Sequence, residues 1–364
     1  MIKKLLISIL FCISFIAVAV PADIDFQALN HQIAQNPEQA FYELQSQLDA
    51  GVALQEKVKL FVVLSELAYY VDQPEHILHY VKEAIASGLL NELWYARALV
   101  SKARGHYQRR ENKLFLITAQ TAYEKAKQSR APTIETAALI ELIFANMSLG
   151  RDNQRETNLK LAHKYLSYLP SGFEKAILLQ RYSTILRDLG RYSEAIKLIK
   201  DTIEMFRHLQ SPHFTSISYY NLGRIEERQE NFKAAISAMQ LSYRWALKDK
   251  NYLNQAFSLS RMAEYQEKLQ LLKDAKQSLE LAKESAIRAQ SSRVQLLTYK
   301  NIAEFTCRNE MNGACFQHLK SAIEHAKKSD LNKDKVELER YLASIYAKEG
   351  QYQKAYETLV SSIE

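Results

Sequence analysis

The chain has 364 residues, of which only 9 are glycine and 6 are proline, and its formal net charge at neutral pH is +7. Sandwiches and barrels need many tight turns, and nucleotide-binding folds need a glycine-rich phosphate loop, so this composition argues against both classes. The modest positive charge is spread over a long chain, and it does not indicate a nucleic-acid partner.

Residues 1–22 have the pattern of a signal peptide. Two lysines precede an apolar run over residues 5–20, and Val20 and Ala22 are the small residues that a signal peptidase reads before Asp23. The run is shorter than the roughly 20 residues that span a bilayer as a helix. We therefore expect export to the periplasm with cleavage before Asp23, and no integral membrane span in the mature chain. An uncleaved membrane anchor is the alternative.

Residues 23–174 show a weak helical repeat pattern. Large and small residues recur at helical spacing, as in Leu64 with Ala68 and Val81 with Ala84. We predict degenerate helical repeats throughout this segment, without an internal domain boundary.

A clear repeat with a period of 40 residues occupies residues 175–364. In each copy a large residue is followed by a small one, as in Tyr182-Ser183, Leu222-Gly223, Met262-Ala263, Ile302-Ala303 and Leu342-Ala343. A second small residue follows at Ala195, Ala235, Ala275, Cys315 and Ala355. Two helices approach closely only where small side chains face each other. Each period is therefore predicted to be a pair of antiparallel helices, and the chain to be all-α.

The best-preserved copy, with Leu222-Gly223 followed by Phe232 and Ala235, resembles the tetratricopeptide repeat. Its period of 40 exceeds the 34 that is usual for this family. It is similar to the long-repeat type in the periplasmic region of bacterial membrane-bound diguanylate cyclases and sensor histidine kinases. The resemblance implies a right-handed α-solenoid of antiparallel helix pairs, in which the first helix of each pair lines a concave inner wall.

In this family the inner wall binds a peptide or protein segment through recurring positions of the first helix. The resemblance places these residues there: Arg181, Arg187, Tyr220, Asn221, Arg224, Arg228, Arg261 and Asn301. Asparagine can pair with a peptide backbone, and arginine can clamp a carboxylate with two hydrogen bonds. Asn221 and Arg261 match two positions of the family's clamp for a C-terminal carboxylate, whereas Gln180, Thr184 and Phe257 depart from it. A solvated inner face without a ligand is the alternative.

Three other groups of residues were weighed for chemistry. His76 and His79 are three residues apart on a helix, but no acid or cysteine completes a metal site at a recognised spacing. Cys307 and Cys315 are either two buried thiols or a disulfide across a helix pair. The basic stretch 102–113 either contacts an acidic lipid or peptide, or is a solvated turn. No nucleophile elbow or cofactor motif is present, so we expect no metal, no cofactor and no enzymatic activity.

Two functions fit this pattern. The first is a scaffold or adaptor of the cell envelope that binds a protein or peptide segment, and the second is the periplasmic sensory input of a signalling system. The last helix looks shorter than the equivalent helices before it, and no polar capping helix follows. Tyr356, Leu359 and Val360 are therefore expected to lie bare, with self-association through the final repeat or fraying after about residue 350 as the result.

Overall fold

The computed structural model describes residues 26–151, 154–310 and 313–362, and these residues form eighteen α-helices and no strand. The expected signal segment, residues 1–22, lies outside the described residues. The helices are α1 (Phe26–Gln35), α2 (Pro37–Ala50), α3 (Leu54–Tyr70), α4 (Pro74–Ala86), α5 (Glu92–Gln108), α6 (Asn112–Ser129), α7 (Pro132–Ser148), α8 (Arg155–Tyr168), α9 (Phe173–Asp188), α10 (Tyr192–His208), α11 (Pro212–Arg228), α12 (Phe232–Lys248), α13 (Tyr252–Lys268), α14 (Leu272–Arg288), α15 (Ser292–Asn309), α16 (Gly313–Lys328), α17 (Asn332–Lys348) and α18 (Tyr352–Ser361).

The helices follow one another as pairs that stack into a solenoid. Within a pair, as in α11 with α12 and α13 with α14, the two helices pack side by side, and each pair packs on the next. The second helix of several pairs begins at an aromatic residue, such as Tyr192, Phe232 and Tyr352. The predicted α-solenoid of helix pairs is thereby confirmed.

The backbone conformation of the turns shows the repeat over a longer part of the chain than the residue pattern does. The turn inside a pair contains a residue with φ between 57° and 76°, at Arg110, Gly150, Gly190, Glu230, Gln270 and Gly350. The turn between pairs contains a residue with φ between 51° and 55°, at Arg130, Gln210, Lys250, Gln290 and Asp330. A left-handed residue after a helix redirects the chain and ends the helix. The 40-residue geometry therefore begins by Arg110, inside the segment in which the sequence pattern is weak.

The small residues of the repeat face each other at the helix crossings, as predicted. Ser183, Ala195, Ala235, Ala275 and Cys315 are each fully buried. The closest crossing is at Gly223, where an added Cβ would lie 2.7 Å from the Met239 Cε and 3.2 Å from the Ala235 carbonyl oxygen. A side chain at position 223 would force the end of Met239 and the Ala235 backbone to shift, so this close crossing favours glycine.

The N-terminal helices do not simply continue the row of pairs. Helix α1 packs against α9 and α11, and the Ser211 hydroxyl donates a hydrogen bond to the Ala34 carbonyl oxygen. The Tyr70 ring at the end of α3 packs edge-on against Phe214, with 5.2 Å between ring centroids. Beyond α3, Asp72 accepts a hydrogen bond from the Arg293 guanidinium at 2.9 Å. The first helices therefore lie against the inner helices of repeats much later in the chain.

The structure also describes the residues of three local expectations, which concern the two cysteines, the last helix and a membrane span. Cys307 and Cys315 form a disulfide between α15 and α16. In the last pair, α18 ends at Ser361, and Tyr352, Tyr356, Leu359 and Val360 are exposed. Within the described ranges, none of the helices combines the length and the apolar character that crossing a membrane requires.

Candidate binding site

The inner wall contains a cleft of about 360 Å³, here called the upper cleft, between α3, α5, α9 and α11. It is lined by Tyr69, Tyr70, Arg104, Tyr107, Gln108, Ile177, Gln180, Arg181, Thr184, Arg187, Phe214, Ile217 and Asn221. Every lining residue belongs to the first helix of a pair. This is the face that the repeat resemblance assigns to ligand binding.

Two smaller spaces adjoin the upper cleft. The lower cleft, of about 280 Å³, shares Tyr70, Ile217 and Asn221 with it and continues to Tyr220 and Phe257. The side pocket, of about 50 Å³, shares Tyr70, Ile177 and Arg104 with the upper cleft and is also lined by Glu66, Arg97 and Glu174. Because the spaces share lining residues, they form one continuous inner surface.

A fourth space, the C-terminal groove, measures about 550 Å³ and lies between α13 and α15. Its lining includes Arg261, Glu264, Asn301 and Arg308. The inner wall therefore has two candidate regions, one next to the N-terminal helices and one in the later repeats.

The charge of the upper cleft centres on Glu141 of α7, which is fully buried. Arg104 Nε donates to its Oε1 at 2.9 Å, and Arg181 Nη2 donates to its Oε2 at 2.9 Å. Burial alone would raise the pKa of Glu141, but the two arginines outweigh burial and hold the pKa below its ordinary value. Glu141 therefore stays ionised, and the positive triad of Arg104, Glu141 and Arg181 carries one excess positive charge.

Aromatic rings enclose the positive triad. The Arg181 guanidinium lies 4.1 Å from the ring centroid of Phe144 and 4.6 Å from that of Tyr107. The Arg104 guanidinium lies 5.3 Å from the ring centroid of Tyr69. Such rings attract cations with their faces and exclude water, which strengthens the electrostatic interactions of the arginines. Within the described part of the chain, Arg181 Nε makes no hydrogen bond.

A second triad, of opposite sign, lines the side pocket. Arg97 binds Glu66 with two hydrogen bonds, at 2.7 Å through Nε and 2.8 Å through Nη2. Its Nη1 contacts Glu174 at the longer distance of 3.5 Å. Burial raises the pKa of Glu174, and Arg97 offsets this only in part. With both carboxylates ionised, this negative triad of Glu66, Arg97 and Glu174 carries one excess negative charge.

In and next to the C-terminal groove, arginines pair with glutamates both within one helix and between helices. Arg261 Nη1 donates to Glu264 at 2.7 Å, and Arg224 Nε lies 2.8 Å from Glu227. Arg261 Nε also donates to the Tyr220 hydroxyl at 3.4 Å. Burial raises the pKa of Glu264 despite its pairing with Arg261. Arg308 binds Glu267 with two hydrogen bonds, at 3.0 and 2.9 Å, and contacts Glu304 at 3.4 Å, so the groove also contains one triad.

The structure distributes the eight predicted site residues over these spaces. Arg181, Arg187 and Asn221 line the upper cleft, Tyr220 and Asn221 line the lower cleft, and Arg261 and Asn301 line the C-terminal groove. Arg224 is half-buried beside Glu227, and Arg228 is exposed. The arginines of the wall are largely engaged with carboxylates of this chain. The amides of Asn221 and Asn301, by contrast, make no hydrogen bond within the described residues.

The sequence analysis missed the residues that give the upper cleft its charge. Arg104 lies in the basic stretch 102–113, but it is buried rather than part of a solvated turn, and so is His106, which contacts Glu111. The repeat register contained a signal for Glu141, because Glu141 precedes Arg181 by one period of 40 residues. Carrying the series of Arg181 and Asn221 one copy backwards would have placed Glu141 on the inner wall.

The other groups weighed for chemistry have ordinary surroundings. His76 contacts Gln73 and stacks on Tyr80. Among the residues that the structure describes, no three or more His, Cys, Asp or Glu side chains are arranged to hold a metal ion.

Comparison with known proteins agrees with this architecture. Residues 174–248 match the family model of the tetratricopeptide repeat. Residues 174–248 of this chain carry tetratricopeptide repeats. The match covers α9 to α12, the pairs with the best-preserved signature, and the stacked pairs on either side share their geometry. None of the curated protein sequences is significantly similar to the chain.

Several solved structures share the fold over nearly the whole tetratricopeptide-repeat chain. A Rap protein complexed with the competence and sporulation factor has a TM-score of 0.60 at 13% identity, covering 92% of this chain and 94% of its own. The apo quorum sensor NprR from B. thuringiensis has a TM-score of 0.56 at 14% identity, covering 93% and 96%. A STAND protein with a tetratricopeptide repeat sensor, from Pyrococcus horikoshii, has a TM-score of 0.56 at 15% identity over 90% of this chain and 52% of its own. At these identities the likeness shows the fold alone.

Proposed function

We propose that this tetratricopeptide-repeat protein binds a peptide or protein segment along its inner wall. The observation that carries the proposal is the continuous surface of the upper and lower clefts, joined at Tyr70, Ile217 and Asn221. Binding sites combine apolar and aromatic area with a few polar groups that fix orientation. Tyr70 and Ile217 supply the first and Asn221 supplies the second. A Rap protein of similar fold is complexed with the competence and sporulation factor, which supports a binding role for a chain of this fold.

Site-specific cross-linking tests this proposal. A photo-reactive residue at Asn221 should capture a segment of a partner in cells, and the segment can be identified by mass spectrometry. The matched control is the same residue at Ser237, which is exposed on the second helix α12. Equal capture at both positions, or none at Asn221, would contradict binding at the inner wall.

A synthetic copy of the captured segment then provides a quantitative test. Asn221→Ala should weaken its binding by about 1 kcal/mol, the net contribution of an ordinary hydrogen bond. Ser237→Ala should leave binding unchanged, and the melting temperatures of both variants show whether each remains folded.

The proposal includes export to the periplasm with cleavage before Asp23. The apolar run over residues 5–20 supports it, and so does the disulfide between Cys307 and Cys315, because disulfides persist in oxidising compartments. Mass spectrometry of the protein from the envelope fraction should find Asp23 as the first residue and both cysteines protected from alkylation. A full-length product in which Cys307 and Cys315 react with the alkylating reagent would overturn this part of the proposal.

A sensory role is the second candidate. It is favoured by the likeness to a quorum sensor and to a tetratricopeptide repeat sensor. A sensor must change its affinity for a second protein when its ligand binds, whereas a scaffold need not. Capture of signalling partners with and without the captured segment distinguishes the two, and a tenfold difference in affinity would favour the sensor.

A further inference from the structure

The upper cleft and the side pocket adjoin each other and share part of their lining. Both are lined by Tyr70, Arg104 and Ile177. Both arginines of the positive triad line the upper cleft, and the three residues of the negative triad line the side pocket. A small ligand in this place would therefore meet excess charge of both signs.

The positive triad has donor capacity left over. One carboxylate, that of Glu141, serves two arginines, each through a single hydrogen bond at 2.9 Å. Arg104 is only 6% exposed, and the buried Nε of Arg181 has no partner in the described part of the chain. A second carboxylate at this place would balance the excess charge and accept the remaining hydrogen bonds.

The negative triad has acceptor capacity left over. Arg97 uses two of its donors on Glu66, and Glu174 is held only at 3.5 Å. The Glu174 side chain is 36% exposed, so it remains within reach of a ligand. An ammonium group would balance the excess negative charge here and donate to the Glu174 oxygens.

We propose that the upper cleft and the side pocket together bind a ligand carrying both a carboxylate and an ammonium group, with the carboxylate at Arg181 and the ammonium at Glu174. This inference rests on the proposed function and narrows its ligand class. The two charges come either from the termini of a short free peptide or from an acidic and a basic side chain of a longer segment.

Tripeptide pools built from alanine, valine, serine and asparagine test the inference on the full chain. The pool is prepared with both termini free, with the amino end acetylated, with the carboxyl end amidated, and with both ends blocked. A fifth pool has both ends blocked but contains one aspartate and one lysine in each peptide. Affinities follow from the concentration dependence of the melting temperature.

Each blocked end should weaken binding about tenfold, because each removes one charged hydrogen-bonded group. Binding of the fifth pool alone would assign the charges to side chains, and binding of the free pool alone would assign them to termini. Either result supports the charge pattern. Equal binding of all pools overturns the inference while the proposed function stands. No binding of any pool also overturns it, and cross-linking at Asn221 then decides the proposed function separately.

Variants assign each charge to its residue. Arg181→Gln should remove the penalty for amidation only, and Glu174→Gln should remove the penalty for acetylation only. A merely structural residue would change both penalties or neither. The matched controls are Arg207→Gln and Glu204→Gln, an exposed ion pair on the second helix α10, away from the inner wall. If Arg181→Gln does not fold, the exposed Glu174 still decides, and an unchanged penalty for acetylation in Glu174→Gln would overturn the inference.

Discussion

Arg181 and Arg261 occupy the same position two repeats apart, yet their surroundings differ. The Arg181 side chain is 12% exposed, lies against two aromatic rings and binds Glu141 on a different helix, α7. The Arg261 side chain is 28% exposed and binds Glu264, one turn away on its own helix. The difference arises because helices of earlier repeats cover the wall at Arg181. A position in the repeat therefore sets which way a side chain points, whereas its neighbours set its charge environment.

Replacing each arginine with alanine should give the largest difference in the free energy of unfolding between the two sites. Arg181→Ala leaves the buried carboxylate of Glu141 with one partner, and we expect a loss of about 3 kcal/mol in the free energy of unfolding. Arg261→Ala removes a partly exposed pair and should cost less than about 1 kcal/mol. Denaturant unfolding measures both. Equal losses would show that the N-terminal cover has no energetic consequence.

The two glutamates should respond to pH with opposite sign. The folded-state pKa of Glu141 is lowered, so its ionised form stabilises the fold above the ordinary value of 4.5, and this contribution is lost as the pH falls through the lower folded-state pKa. Glu141→Gln should therefore cost about 3 kcal/mol at pH 7 and less at pH 3.

The pKa of Glu264 is raised instead, so its protonated form is the stabilising one, and that contribution is lost as the pH rises through the raised pKa. Glu264→Gln should not destabilise the fold at pH 7. Denaturant unfolding of both variants at the two pH values checks the signs. A pH-independent cost of Glu141→Gln would contradict the electrostatic account of the positive triad.

Gly105 and Gly223 allow the packing of helices to be compared between the N-terminal half and the later repeats. An added methyl group at Gly223 would meet the Ala235 backbone oxygen at 3.2 Å, besides the end of Met239. At Gly105 in the N-terminal half it would meet only side chains, those of Ile77 and Leu78, at 2.9 to 3.3 Å. Because a backbone cannot move aside, Gly223→Ala should cost about 1–2 kcal/mol, whereas Gly105→Ala should be nearly neutral after the gain in helix propensity. Thermal unfolding of the two variants measures the difference.

The smallest change in stability is expected at the turns that connect the two helices of one pair. Gly190 has φ of 76° and nothing within 4 Å of an added Cβ, so Gly190→Ala tests the backbone alone. We expect a loss of about 1 kcal/mol from the left-handed conformation. Gln270 has φ of 60° at the same repeat position, and Gln270→Gly should gain about 0.5 kcal/mol. A loss of stability in Gln270→Gly would show that the glutamine side chain stabilises its turn.

The repeat was predictable at the helix crossings, where only small side chains allow the helices to approach. Small residues such as Ser183 and Ala235 mark the crossings because larger side chains would hold the helices apart. The turns at Arg110, Glu230 and Gln270 were not visible, since their residues adopt the left-handed conformation without glycine or asparagine to announce it. The inner wall was predicted as a surface, but its internal ion pairs were not, because Glu141 and Arg104 belong to helices whose repeat signature is weak.

The amino-acid sequence by itself determined the helices, their pairing and the direction in which the inner-wall residues point. These follow from local spacing and from the small residues at each crossing, which act over a few turns of helix. Only the tertiary structure decided that α1 rests on α9 and α11, that Asp72 meets Arg293, and that Glu141 is shared by two arginines. Each small rotation between neighbouring pairs accumulates along the solenoid. Contacts between distant repeats therefore depend on the sum of many angles, which no local pattern records.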